Sequence, residues 1–349
     1  MNSYNDLCAD GPRRRWADLR KKVVLTYDNT KMTDGAGAQL QRIYGIYSIS
    51  RLLGATYLHS PLARVDYQGL SALEENVGAP GFHHALNDCF QIKSDVLPTG
   101  DLHEMQLSDI SMDVIDQFVA AFDGGETGGR PILARIILPY GIADRFPDCY
   151  DACKEISPYA SPPREGRALR VAVHVRRGEL LVLDSDRMLP NRYYINIGRN
   201  VMRALEALGL DYQIELHTEL PNKAFVFRPD HHGINHRISA STVVGPELCR
   251  LDEFDVVPKL VRCINDTTSD CLRKLATADI LVMSRSSFSY LGGILNRSGI
   301  ILYHPFWHAA PSSWMFADSD GQFDQSELQA RLVRRMAGPA HLGRSTPGA

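Results

Sequence analysis

The chain has 349 residues, 44% of them apolar and 23% charged, with a formal net charge of -3. That balance fits a soluble globular protein long enough for two ordinary domains and gives no reason to expect a nucleic-acid partner. Nowhere does it approach the ~18–20 apolar residues of a membrane span, and its polar first residues lack the apolar stretch of a signal peptide.

Residues 1–22 read as a loose N-terminal arm. It carries the one basic run, Arg13-Arg14-Arg15 with Arg20, Lys21 and Lys22, a solvated face that could also touch an anionic membrane surface peripherally. A first domain is expected over 23–162. Val23–Tyr27 is a short strand, and Asp34-Gly35-Ala36-Gly37 belongs to a polar loop. Ala38–Leu53 is a helix with Leu40, Ile43, Tyr44 and Tyr47 on one face, stopped by Gly54 before a strand over Ala55–His59. Such a unit builds parallel sheets, and amides at its helix start can meet a ligand; a simple packing turn fits the same residues. Residues 60–129 give little. His83-His84 and the acidic residues from Asp109 to Asp116 form no motif, Gly124-Gly125 and Gly128-Gly129 bracket a flexible loop, and Pro131–Tyr140 fits a strand or a short buried helix.

Seven cysteines, an odd number without Cys-x-x-Cys spacing, point to reduced thiols rather than a disulfide framework or zinc site, although Cys149 and Cys153 could meet on a helix. Asn265-Asp-Thr267 and Asn296-Arg-Ser298 match the glycosylation pattern, which is short enough to arise by accident.

Ser161–Gly166 is the linker candidate, with a second domain over 163–337 and a disordered Gly/Pro/Ser-rich tail over 338–349. The second domain opens on Arg170-Val-Ala-Val-His174-Val-Arg176-Arg177-Gly178-Glu179, a β-rich run that ends in two arginines. Guanidinium groups at the carboxyl end of a strand in an open α/β sheet suit phosphate oxygens; a surface ion-pair cluster with Glu165 and Glu179 is the plainer account. After it come a helix from Pro190 with Tyr194, Ile197, Val201, Leu205 and Leu208 on one stripe, closed by Gly209, and a strand Tyr212–His217. A helix Ser269–Ala278 and strands Asp279–Ser284 and Gly299–His304 follow. Ser284-Arg-Ser286-Ser287-Phe288-Ser289 starts a helix, with Ser286 as N-cap, and a helix start with small hydroxyls makes an anion cradle. Taken together, arginine turn and serine start predict a diphosphate held from two sides.

These segments resemble the GDP-fucose-dependent fucosyltransferases. His174-Val-Arg176-Arg177-Gly178-Glu179 is similar to that superfamily's His-x-Arg-Arg-x-Asp element, and Ser286-Ser287-Phe288-Ser289 to the Ser-Ser-Phe-Ser of its α-1,2 branch. Gly35-Ala-Gly37-Ala38-Gln39 is similar to the branch's Gly-x-Gly-Asn-Gln opening, and Glu219 falls where the family ends a strand in acidic residues. The resemblance implies an α/β fold of the GT-B type, with two facing Rossmann-like domains, acceptor side first and nucleotide-sugar side second. It implies an inverting, metal-independent transfer of a sugar, fucose from GDP-fucose, to a glycan hydroxyl. Arg176 would grip the β-phosphate, with Arg177 and Glu179 in the catalytic set. His174, Ser286, Ser287, Phe288, Glu219, Gly37 and Gln39 would surround the donor, with no cofactor beyond it. Glu179 stands in place of aspartate and Ala38 in place of asparagine, which touches donor sugar and acceptor more than the diphosphate site. A cytoplasmic location is expected, or a Golgi lumen if an anchor has been lost.

Three rivals compete with this reading. Asp184-Ser-Asp186 could hold a divalent ion in a metal-dependent transferase, though Asp318-Ser-Asp320 shows how easily the pattern arises. His231, His232 and His236 read as loop histidines better than as a metal site. A nucleotide-sugar receptor without turnover would use the same pocket.

Overall fold

The computed structural model describes residues 10–31, 34–69, 81–160, 168–178, 180–183, 187–228 and 241–336. Two parallel sheets organise it. In the first, β1 (Val23–Tyr27), β2 (Thr56–Tyr57), β3 (His103–Asp109) and β4 (Ile132–Leu138) lie in the order β2-β1-β4-β3. All five residues of β1 are buried, as its uninterrupted apolar run requires of a strand covered on both faces.

The second sheet contains β5 (Leu169–His174), β6 (Tyr212–Thr218), β9 (Leu260–Ile264), β10 (Ile280–Val282), β11 (Ile300–Tyr303) and β12 (Met315–Phe316), in the order β12-β11-β10-β5-β6-β9. Counted within this half the order is 6-5-4-1-2-3, the doubly wound Rossmann arrangement, whose switch point lies between β5 and β10. A small antiparallel pair, β7 (Phe225–Phe227) and β8 (Thr242–Val244), stands apart. The chain therefore has the α/β fold of two facing Rossmann-like units expected for the GT-B type. It passes from one sheet to the other between Ile156 and Leu169, and the linker Ser161–Gly166 lies outside the described residues.

The two units share one core. The Ala36–Leu53 helix is buried on nearly every side, including Gln39, Gln41, Arg42, Ser48 and Ser50, because it lies between the first sheet and the Ser287–Leu295 helix of the second. The one-faced stripe read from its sequence is only part of its buried surface. Its start, at Ala36, is two residues earlier than expected, and Gly54 does end it in the left-handed conformation, φ 68°. The far face of the second sheet packs a separate core under the Asn191–Glu206 and Gln325–Met336 helices.

Several expectations need correction. From Asp10 the N-terminal segment is a helix to Leu19, not a loose arm. Trp16 is fully buried, stacks on Phe118 at 5.8 Å and donates its indole N–H to Leu53 O at 3.1 Å. In the unread stretch lie the helices Phe82–Cys89 and Val114–Asp123 and strand β3. Asn296 is 2% exposed and spends its amide on Ala278 O and on the amides of Ser298 and Gly299, so it is no glycan acceptor. Asp318 closes a turn by accepting from the amides of Asp320 and Gln322. The tail over 338–349 and the histidines 231, 232 and 236 lie outside the described residues.

Candidate active site

At the switch point, His174–Gly178 leaves the carboxyl end of β5, and Ser284–Phe288 leaves the end of the adjacent β10. The strand order alone therefore brings the arginine turn and the serine-started helix side by side. Both line one cavity of about 600 Å³, a volume usual for small-ligand sites. The loop Asp34–Ala38, Arg42, Tyr67, Glu219, Cys263, Asp266 and Cys271 belong to the same lining.

Ser286 caps the Ser287–Leu295 helix, its Oγ accepting from Phe288 N at 3.2 Å. The start of the Ala36–Leu53 helix abuts this one so closely that a Cβ on Gly37 would lie 2.6 Å from Phe288 Cα and 2.8 Å from Phe288 N. Two helix starts, each with its first amides outside the helical ladder and a partial positive charge, thus meet at the cavity. Gly37 is needed for that approach.

Arg176 is half-buried on the cavity wall, its guanidinium 5.2 Å from the Tyr67 ring. Arg177 differs from the expectation of a second open fork. It is 5% exposed, one terminal nitrogen donates to Arg176 O at 2.8 Å, and the other is held by Asn191 Oδ1. It borders the cavity but braces the turn from behind. Gly178, at φ 53°, completes that turn where a Cβ would meet the Tyr67 hydroxyl at 2.7 Å.

His174 places its ring 5.6 Å from that of Phe288 and its Nδ1 2.8 Å from Ser284 Oγ. Burial drives its pKa well below the ordinary value, and the charges of Arg176, His217 and Arg177 push the same way, so the ring stays neutral near pH 7. Glu219 Oε2 accepts from the Tyr67 hydroxyl at 2.5 Å.

Gln39 does not reach the cavity. It is fully buried, and its amide nitrogen donates to Asp34 O and Arg64 O at 2.8 Å each, so it shapes the loop instead of touching a ligand. Glu179, Asp184 and Asp186 lie outside the described residues. Residues that no motif announced also line the site: Arg42, Tyr67, Tyr140, Arg187, Asp266 and Trp307. Arg42 is 4% exposed, pairs with Asp34 at 2.9 Å and brings a guanidinium from the first unit to the cavity.

Among the described residues one group, Glu215, His217 and Cys263, has ligand atoms close enough to share a metal, within 4.8 Å of one another. Arg170 already grips Glu215 with two nitrogens at 3.1 and 2.9 Å, and Lys274 holds the neighbouring Asp266 at 2.8 Å. The protein's own cations thus meet the carboxylate charge there. No described helix is long and apolar enough to cross a membrane.

No family model and no curated protein matches the chain. Among solved structures it is similar to POFUT1 in complex with GDP, at 12% identity and a TM-score of 0.37 over 81% of this chain and 98% of that one. It is also similar to the E. coli heptosyltransferase WaaC with ADP, at 12% identity and a TM-score of 0.36 over 90% and 98% of the two chains. Likenesses of this size carry no functional argument; the chemistry rests on the site itself.

Proposed function

We propose that the chain is a glycosyltransferase that takes a nucleotide-sugar donor and transfers its sugar, with inversion, to a glycan hydroxyl. The observation that carries this reading is the convergence of Arg176, the Ser286–Phe288 helix start and the Gly35–Ala38 helix start on one cavity at the switch point of a doubly wound sheet. As the bond between sugar and diphosphate breaks, negative charge grows on the leaving oxygens while the sugar turns oxocarbenium-like. Fixed guanidinium and amide dipoles stabilise that growing charge more than the bound donor, which lowers the barrier.

In this reading Arg176 meets the β-phosphate, Ser286 and Ser287 border the phosphates, and Phe288 and His174 lie beside the nucleotide. Arg177 acts through the turn that it braces, and Glu179, in the catalytic set by the family resemblance, serves as base or orienter. Cationic side chains and helix starts supply the charge that a metal ion would otherwise bring. GDP-fucose is the first-choice donor, resting on the sequence motifs.

Hydrolysis and transfer assays with GDP-, UDP- and dTDP-sugars test this directly. Turnover of one donor class in excess EDTA is expected. Complete loss in EDTA with recovery on Mn²⁺ would favour the Asp184/Asp186 alternative, and nucleotide binding without turnover of any donor would make the chain a receptor.

A further inference from the structure

Ser287 has a neighbour that the phosphate reading leaves unexplained. Its Oγ lies 3.4 Å from Nε2 of His308, a residue 2% exposed that does not itself line the cavity. On the other side of that ring, Nδ1 faces Asp144 Oδ1, from the first unit, at 3.7 Å and makes no hydrogen bond. Both gaps close to hydrogen-bond length with a shift of under ~1 Å.

The imidazole is firmly held. Tyr303 donates to His308 O, Tyr290 donates to Ala309 O at 2.7 Å, and Ala309 N donates to Asp144 Oδ1 at 3.1 Å. Tyr140, Tyr290, Phe306 and Trp307 pack around the ring. Burial raises the pKa of both tyrosines, so they stay neutral. Asp144 is thus the charged group facing the ring directly, with Arg42 behind Tyr140, at 3.3 Å from its hydroxyl. The Asp144 carboxylate at Nδ1 orients the ring, which leaves Nε2 to exchange a proton with Ser287.

We propose that Asp144, His308 and Ser287 form a proton relay into the leaving diphosphate. This rests on the glycosyltransferase reading and adds to it a general acid that acts from outside the cavity. As the sugar–oxygen bond breaks, the leaving phosphate oxygen takes the Ser287 hydroxyl proton. Ser287 Oγ takes the Nε2 proton of His308, and the imidazolium becomes a neutral imidazole whose Nδ1 proton faces Asp144. The acceptor hydroxyl, or water in donor hydrolysis, releases one proton to a base on its own side, so protons balance. His308 regains its proton from solvent between turnovers.

The test is the pH profile of donor hydrolysis, with GDP affinity measured by calorimetry between about pH 5 and about pH 8. In the unaltered protein, turnover should show a limb that falls as pH rises. His308→Gln should lose that limb and slow turnover ~10²-fold while GDP affinity changes by less than about threefold. Asp144→Asn, which removes the carboxylate that orients the ring, should weaken the limb and slow turnover. Ser287→Ala should lose it and Ser287→Thr, which keeps a hydroxyl, should restore it; this pair carries the test if the His308 variant does not fold. An unchanged limb in His308→Gln or Ser287→Ala overturns the relay. So does a parallel loss of thermal stability, affinity and turnover without a change of profile. Failure of the unaltered protein to bind any nucleoside diphosphate overturns the glycosyltransferase reading together with the relay; normal binding with an unchanged profile overturns the relay alone.

Discussion

Adjacent arginines at the end of β5 have different work. Arg176 stands on the cavity wall, whereas Arg177 is 5% exposed and holds Asn191, whose amide nitrogen in turn reaches Cys249 O, Arg250 O and Glu253. Arg176→Ala should therefore slow transfer by ~10²–10³-fold with a melting temperature close to that of the unaltered protein. Arg177→Ala should cost on the order of 1–3 kcal/mol of stability, because it strands buried partners, and lose activity as a consequence. Thermal unfolding and steady-state kinetics on both variants check this; a stable, inactive Arg177→Ala would reverse the two roles.

A second residue-level expectation concerns pH. Burial alone would raise the Glu215 carboxyl, but His217 and Arg170 beside it outweigh burial and bring its pKa down to about 2. A depressed folded pKa contributes stability that is present above the unfolded value near 4.5 and is lost as pH falls toward about 2. Glu215→Gln should thus destabilise by roughly 2–3 kcal/mol at neutral pH and by progressively less below about pH 4. Urea unfolding of both proteins across that range measures it, and a difference independent of pH would show that the ion pair with Arg170 is not its source.

At the scale of elements, the abutting starts of the Ala36–Leu53 and Ser287–Leu295 helices shape the cavity. Gly37→Ala puts a methyl 2.6 Å from backbone, where no side chain can swing aside. It should destabilise by about 1–3 kcal/mol and weaken nucleotide binding about tenfold, as the two helix starts separate. A calorimetric titration and a melt would show it; normal affinity would mean that the first helix does not contribute to the anion cradle.

The same contact shows what was legible in the sequence. Serine caps, Gly54 and the valine run of β5 act locally, so their pattern places β5, β6, β10 and β11 and both helix starts within a residue or two, whereas β9 and β12 went unread. Arg42, Glu215 and His217 were not legible, and Gln39 was misplaced at the donor, because the sequence does not show which second layer covers a polar residue on a helix or strand. Trp16 was hidden behind three arginines in a helix of ten residues. Strand β3, His-Glu-Met-Gln-Leu-Ser-Asp, is an edge strand with one buried residue and shows no apolar run. Arg187 and Trp307 lie outside regular strands and long helices, where no period marks them.

Over the whole molecule, the continuous core from Trp16 through the Ala36–Leu53 helix to Trp314 ties the two units together. Unfolding should accordingly be a single cooperative transition, with tryptophan fluorescence and far-UV circular dichroism losing signal together in urea. Separate midpoints would mean that the units hold on their own. The shared core also fixes the cavity between the units, so the anion site should exist before a ligand arrives.

That makes direct binding the sharpest test of the central claim, that a diphosphate is received between Arg176 and two converging helix starts. Titrating GDP into the unaltered protein and into Arg176→Ala by calorimetry should give one site per chain, weakened about tenfold or more by the substitution. Equal affinity in the two proteins, or no binding of any nucleoside diphosphate by the unaltered one, would contradict the account.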